Sequence, residues 1–197
     1  TKGIAAGQFV RVTGLLRPRV SKHGVLELRI EVGDIERCDH EATERIENGR
    51  RITLDYLKSL PVRRFAFPVV GEQLRIAVVQ SSSASAQVAQ DCLAELAKLG
   101  SLVAVHSIRV NILDLIAIAD AVDRAQGGVL IIVRGGGAAV EFDVFDDPRV
   151  VSALAAKRAY RVVGLGHSAN STLLDVVADH SARTPAQAGL HVRECVQ

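Results

Sequence analysis

Three stretches of this 197-residue chain combine the residue types that phosphoryl chemistry requires. The first is Arg134-Gly135-Gly136-Gly137. Three glycines remove every Cβ, so backbone N–H groups can approach an anion closely. Arg134 adds a permanent charge on a planar fork that matches phosphate oxygens. A tight turn carrying a surface arginine is the bland alternative. The second stretch is Ser81-Ser82-Ser83, whose hydroxyls, ahead of a helix N-terminus, suit phosphate and would equally serve as plain caps. The third is Gly164-Leu165-Gly166-His167-Ser168. His167 falls between a strand end and a helix start, where the helix N-terminus favours a neutral imidazole able to accept a proton. A structural histidine is the alternative there, and Asn170 and Ser171 are expected to cap the following helix.

Other titratable residues read differently. His106, His180 and His191 have no metal spacing with a second ligand and read as structural. Asp175 and Asp179 stand one turn apart, opposite Leu173, and are expected on a solvated face. Glu141, Asp143, Asp146 and Asp147 form an acidic cluster near the glycine run, of which helix capping explains two. No metal site is evident, the cofactor is unknown, and a divalent metal stays open. Lys2, Arg11, Arg17, Arg19 and Lys22 are basic, and the first 26 residues hold no acid. Arg50, Arg51, Lys58, Arg63 and Arg64 form a second basic group with only Asp55 among them. A basic segment beside a phosphate-type site points to nucleic acid, with a solvated basic face as the alternative.

The elements that must position these residues follow from hydrophobic spacing. Residues 8–37 alternate with period two (Val10, Val12; Leu28, Ile30, Val32) and predict two strands with a third in question. Ser21-Lys22-His23-Gly24 is the expected hairpin turn. Residues 39–60 read as a polar helix anchored by Ile46, Leu54, Leu57 and Leu60, and Pro61 and Pro68 bracket an extended linker. From Leu74 the pattern alternates. Strands are expected at Leu74–Val79, Leu102–His106, Val129–Val133 and Tyr160–Leu165. Helices are expected on Ala89, Cys92, Leu93, Leu96 and Leu99; on Ile112, Leu115, Ile116, Ala119 and Val122; on Val150, Ala153 and Leu154 after an Asp146-Asp147-Pro148 start; and on Leu173, Val176 and Val177. Four β–α units with near-continuous apolar strands predict an open, mostly parallel α/β sheet covered on both faces. Ligands then bind beyond the carboxyl ends of the strands, where all three stretches fall.

Composition narrows the function classes. Hydrophobic residues make up 48% and charged residues 23%, with a net charge of +2, which fits a globular domain and excludes a polycation or an acidic tail. Seven aromatics and no Trp argue against an aromatic sugar-binding surface. Three distant cysteines, Cys38, Cys92 and Cys195, fit neither a disulfide framework nor a zinc knuckle and point to a reducing, cytoplasmic location. No apolar run is long enough to span a bilayer, and Thr1-Lys2-Gly3 is unlike a signal peptide. The absence of Met is read as the mark of a fragment or a processed chain.

Leu130-Ile131-Ile132-Val133-Arg134-Gly135-Gly136-Gly137 resembles the strand and Arg-Gly-Gly-Gly loop of the exodeoxyribonuclease VII large subunit. Phe145-Asp146-Asp147 is similar to its Phe-Asn-acidic stretch, and Gly166 to Asp179 to its Gly-His-Glu-Thr-Asp block. Thr184-Pro185 and Ile76-Ala77-Val78-Val79-Gln80-Ser81 match a further pair and its first strand. The order and spacing agree over residues 74–189, and Gly7 to Glu36 looks like the last strands of that family's OB-fold. The resemblance implies a partial OB-fold-like β segment (1–38), a helical and extended linker (39–72) and an α/β nuclease-like domain (73–197). It implies an enzyme cutting single-stranded DNA from either end into oligonucleotides. Arg134 would bind phosphate and stabilise charge, and His167 would act as catalytic acid or base. Arg11, Arg17, Arg19 and Lys22 would hold the strand. A small subunit would dock on a long helical segment that the chain, ending at Gln197, does not contain. No membrane contact is expected.

The departures are specific. Asn170 stands in the catalytic position where the family has an aspartate, and it cannot titrate. Ala138-Ala139-Val140-Glu141 replaces Ser-Leu-Glu-Asp. A further family aspartate falls on Ala89, or with a gap on Asp91, which points about 200° away, toward solvent. Three rivals stay open. A non-catalytic nucleic-acid module would keep the phosphate cradle, and a nucleotide binder would use the same loops. An α/β hydrolase would use Ser168 in an elbow-like Gly166-His167-Ser168-Ala169-Asn170, but too little chain follows it for an acid and a histidine.

Overall fold

The computed structural model describes residues 10–20, 26–37, 44, 48–49, 51–52, 54–55, 57–59, 63–71, 73–82, 87–135, 139–166 and 171–197. Two compact units are present, Thr1–Arg51 and Ile52–Gln197.

In the first unit, β1 (Val10–Val20) and β2 (Leu26–Arg37) pair antiparallel, with a register shift between Thr13 and Gly14. Among the described residues no third strand joins them. The expected turn at Ser21–Gly24 lies outside the described residues. Val12, Leu15, Ile30, Val32 and Ile35 stay exposed, and Arg17 pairs with Glu31 across the strands in solvent. The described residues of 44–59 are helical, as the polar pattern predicts. Of the expected anchors, Leu57 is buried in the second unit's core and Leu54 is exposed, while Ile46 and Leu60 lie outside the described residues.

The second unit is a five-stranded, wholly parallel sheet, ordered β4-β3-β5-β6-β7. Its strands are β3 (Leu74–Ser81), β4 (Val103–Val110), β5 (Val129–Val133), β6 (Tyr160–Gly164) and β7 (His180–Ala182). The helices are α1 (Gln87–Ala97), α2 (Leu115–Arg124), α3 (Pro148–Ala156), α4 (Leu173–Val177) and α5 (Pro185–Val196). β5 is buried along its whole length, as a strand covered on both faces must be. On one face Ala77, Val79, Leu130, Ile132 and Val163 pack against Ile118, Val122, Val150, Leu154 and Leu174 of α2, α3 and α4. On the other, Ile76, Val78, Ile131, Val133 and Val162 pack against Cys92 and Leu96 of α1 and Ala188 and Val192 of α5. Burial pushes the Cys92 thiol up to about 12. No helix among the described residues is long and apolar enough to cross a membrane.

Three details depart from the sequence reading. Asp114 caps α2 through the Ile116 and Ala117 amides, so the helix starts later, and Ile118, Ala121 and Val122 face inward while Ile116 stays exposed. β4 starts at Val103 and runs four residues beyond His106. β7 and α5 complete the sheet and its second face without having been expected; a three-residue strand is too short for periodicity to register.

Asp179 is not on a solvated face. Its side chain is 2% exposed, and that of Arg161, within the apolar run of β6, is fully buried. Asp179 Oδ2 accepts from Arg161 N and Nε, and Oδ1 from Arg161 NH2 and the Phe65 amide, all at 2.8 Å. Arg161 also donates to the carbonyls of Leu154, Ala155 and Arg63, with its guanidinium 5.0 Å from the Phe65 ring centroid. Residues 63–67, expected as a linker, are thereby strapped to the sheet; Arg64 donates to the Val176 and Val177 carbonyls and Phe67 packs edge-on against Tyr160.

Burial alone would raise the Asp179 pKa, but the Arg161 hydrogen bonds and charge and the two amides outweigh it and hold it below the usual carboxylate range. The stabilisation is therefore complete above the ordinary value of 3.8 and is lost as pH falls through the lower folded value. Asp179→Asn leaves the guanidinium buried without its charge partner and is expected to cost about 3–5 kcal/mol in urea denaturation at pH 7. The variant should also lose stability less steeply than the parent as pH falls below the ordinary carboxylate value of 3.8.

Candidate active site

Parallel strands place all their carboxyl ends at one edge. The chain runs from β3 out to β4 and returns across β3 to β5, so the strand order reverses between β3 and β5. Such a switch point opens a crevice above the sheet. Ser81 ends β3, and Arg134 and Gly135 follow β5. Ser82 N donates to the Val110 carbonyl at 2.7 Å and Arg134 N to the Gly164 carbonyl at 3.1 Å. Leu165 and Gly166 leave β6 at the same edge, and Gly166 has φ +84°, a conformation that favours glycine.

Arg134 is not the surface arginine of the bland reading. It is 5% exposed, and its guanidinium carbon lies 4.1 Å from the centroid of the Phe142 ring. Phe142 belongs to a 3-10 segment, Ala139–Asp146, and packs against Phe145 with ring centroids 6.4 Å apart. A buried guanidinium held on an aromatic face keeps a fixed charge where little water screens it. Asp146 closes the same segment, and its Oδ1 accepts from the Leu173 amide at 2.6 Å. The loop after β5 and the start of α4 are thus tied together.

Thr172, not Asn170 or Ser171, is the N-cap of α4, in a capping box with Asp175. Asp175 Oδ2 accepts from Thr172 N and Oγ1, both at 2.8 Å, and Oδ1 accepts from Ser181 Oγ at 2.7 Å. Asp175, expected in solvent, is half-buried and structural. Asp146 and Asp147 are the two of the four acids at helix starts, as expected, but they serve different helices: Asp147 caps α3 and Asp146 supports α4. Sequence reasoning missed Phe142 and the reach of Asp146 to Leu173. Phe142 and Phe145, five and two positions before the Asp147 cap, carry no periodic signal.

Ser83, Gly136, Gly137, His167 and Asn170 lie outside the described residues, as do Lys22 and the side chains of Arg11 and Arg19. Arg17 is described and exposed. Ala89 points into the core and Asp91 into solvent, so neither position of α1 offers an acid to the edge. His106 is exposed on β4. His180 and His191 stack with centroids 3.4 Å apart, and His191 Nε2 lies 2.9 Å from Tyr160 Oη. Tyr160 and His180 begin β6 and β7, at the end opposite Arg134. Desolvation lowers both histidine pKa values. Among the described residues no group of three or more His, Cys, Asp or Glu is arranged to hold a metal.

A family profile described as "Exonuclease VII, large subunit" matches residues 67–195, well over half of the chain. The chain belongs to the exonuclease VII large-subunit family. The exodeoxyribonuclease 7 large subunit of Xanthomonas oryzae pv. oryzae is 32% identical over 185 residues, covering 86% of this chain and 41% of that protein. The counterpart from Acaryochloris marina is 39% identical over 82 residues, 42% of this chain and 19% of that protein. That from Rhodopirellula baltica is 44% identical over 69 residues, 35% of this chain and 16% of that protein. The chain spans about two fifths of the length of the Xanthomonas relative. In this family member Arg134 on Phe142, with Gly135, Ser81 and Ser82, forms the described part of the candidate site, and Asp146 ties the loop to α4.

Asp146→Ala is expected to cost about 1 kcal/mol, in line with the loss of other helix-end carboxylate caps. Hydrogen exchange at the Leu173 amide should speed up with it. Asp91→Ala, on an exposed helix face, should change stability by less than about 0.5 kcal/mol.

Proposed function

We propose that this chain carries the nuclease part of an exodeoxyribonuclease acting on single-stranded DNA and releasing oligonucleotides. The observation that supports this reading most directly is the buried Arg134 at the switch-point edge of a family member's sheet. A fixed cation there binds a non-bridging phosphate oxygen and stabilises charge as water attacks phosphorus and the P–O bond breaks. Gly135, Gly136 and Gly137 supply amides to the same phosphate, and Ser81, Ser82 and Ser83 border it. His167 transfers the proton, as base toward water or as acid toward the leaving oxygen. Asn170 cannot hold an imidazolium by charge, so the activity is attenuated. Arg11, Arg17, Arg19 and Lys22, on an OB-fold-like segment, guide the strand. A small subunit is the proposed protein partner, and the cytoplasm the proposed location.

The test is digestion of 5′- and 3′-labelled single-stranded DNA, with and without chelator. Slow release of short oligonucleotides is expected, reduced by about 10²–10⁴-fold in His167→Ala. Asn170→Asp should increase it. DNA affinity should fall steeply with salt, and Arg134→Ala should weaken it. Salt-sensitive binding with no turnover, unaltered by Asn170→Asp, would favour the non-catalytic module that the missing acid suggests. Turnover and affinity both unaffected by His167→Ala and Arg134→Ala would overturn the proposal.

A further inference from the structure

A second basic site lies away from the strands' carboxyl ends. Arg75 and Ile76 are the second and third residues of β3, and Ala104 to His106 lie near the start of β4. Parallel pairing sets Arg75 beside Ala104 and Ala77 beside His106. Arg124 ends α2, and Gln126 follows it. Together these residues line a cavity of about 440 Å³, within the size range of small-molecule sites. Its polar lining is Arg75, His106, Arg124 and Gln126, with no carboxylate among the described residues.

Two features make this more than a pair of surface arginines. Neither Arg75 nor Arg124 is in an ion pair with a described carboxylate. Arg124 Nε donates to the Asp120 carbonyl at 3.1 Å, which fixes the stem and leaves the two terminal nitrogens for a ligand. The Arg75 backbone is clamped as well. Gly128 N donates to the Arg75 carbonyl at 3.0 Å, and Gly127, at φ +143°, packs so closely that a Cβ would lie 2.5 Å from that oxygen. The wall carrying Arg75 is therefore held by the α2–β5 turn before any ligand arrives.

We infer that this cavity is a binding site for a phosphate monoester of mononucleotide size, separate from the Arg134 edge. A phosphate monoester carries close to two negative charges near neutral pH and two guanidinia neutralise it through charge-assisted hydrogen bonds. Gln126 and His106 add polar contacts, and the half-buried Ala104 offers apolar surface to a ring. Such a group reaches the protein as a free nucleotide or as the terminal phosphate of an oligonucleotide.

Calorimetric titration of the whole chain distinguishes these sources and tests the site. The probes are thymidine 5′-monophosphate, thymidine, and an oligothymidylate with or without a 5′-phosphate. The nucleotide or the 5′-phosphorylated oligomer should bind, with thymidine and the 5′-hydroxyl oligomer weaker by about tenfold or more. Preference for the first assigns a free nucleotide, and preference for the second a strand end. The exposed pair Arg75→Gln/Arg124→Gln should weaken that binding by about tenfold or more at an unchanged thermal midpoint, with partial rescue by Arg124→Lys. Arg134→Ala should leave the advantage of the 5′-phosphate over its absence unchanged, in the nucleotide and in the oligomer, even as strand affinity itself falls. Binding of neither phosphorylated probe, binding indifferent to the phosphate, a phosphate preference untouched by the double variant, or a phosphate preference lost in Arg134→Ala would overturn the inference. Its outcome is independent of strand cleavage, because the double variant leaves Arg134 and His167 in place.

Discussion

The Arg161–Asp179 ion pair is the constraint on which the lower half of the α/β unit depends. It joins β6, the turn before β7, the end of α3 and the strap at residues 63–65 through one guanidinium and one carboxylate. Two charges in a sheet interior are costly to desolvate, and only a fully satisfied geometry offsets that cost. Both carboxylate oxygens accept two hydrogen bonds, and every guanidinium nitrogen donates. An apolar pair of similar volume would match the burial without selecting which segment crosses the sheet or in what register. The polar pair selects both.

That anchor bears on the candidate site through α4. The chain between β6 and β7 is held near its end by Asp179 and near its middle by Thr172, Asp175 and Asp146. His167–Asn170 lie in sequence between the last buried residue of β6 and this capped start. The other loop at the edge is held by Arg134 on Phe142 and by Phe142 against Phe145. Asp146 links the two frames. The described ends of both loops are thus fixed by polar contacts laid over the apolar core that holds Phe142, Phe145 and Leu173.

Much of this was legible in the sequence, for identifiable reasons. β5 was read correctly to its ends because glycine bounds a run of five apolar residues, and α1 because Ala89, Cys92, Leu96 and Leu99 keep one face. The Asp147-Pro148 start of α3 has a local cap chemistry that needs no tertiary context. What failed was tertiary. Asp179 looks solvated until Arg161 is placed beside it; the one available signal was a lone arginine inside the apolar run Tyr160 to Gly164, which implies a buried partner. Ile116 and Ile118 are equally apolar, and only the Asp114 cap decides which turns inward. For the site, the strand ends located Arg134 and Ser81, but nothing local foretold that Phe142 would buttress the arginine or that Asp146 would cap a helix twenty-seven residues on.

The strand order also has a kinetic consequence. Pairing Ile76 with Val129 closes 53 residues of chain, against 29 for Leu74 with Val103 and 31 for Val129 with Tyr160. The difference between 53 and 29 residues costs only about 0.5 kcal/mol of loop entropy, too little to threaten the sheet. It does set an order of events. During synthesis β3 and β4 can meet as soon as both have emerged, whereas β3 and β5 cannot meet until the whole α2 excursion is complete. The crevice is created by that longer-range pairing. A nascent chain therefore pairs two of the five strands before the switch-point edge exists, and the edge arrives with the cooperative core rather than ahead of it.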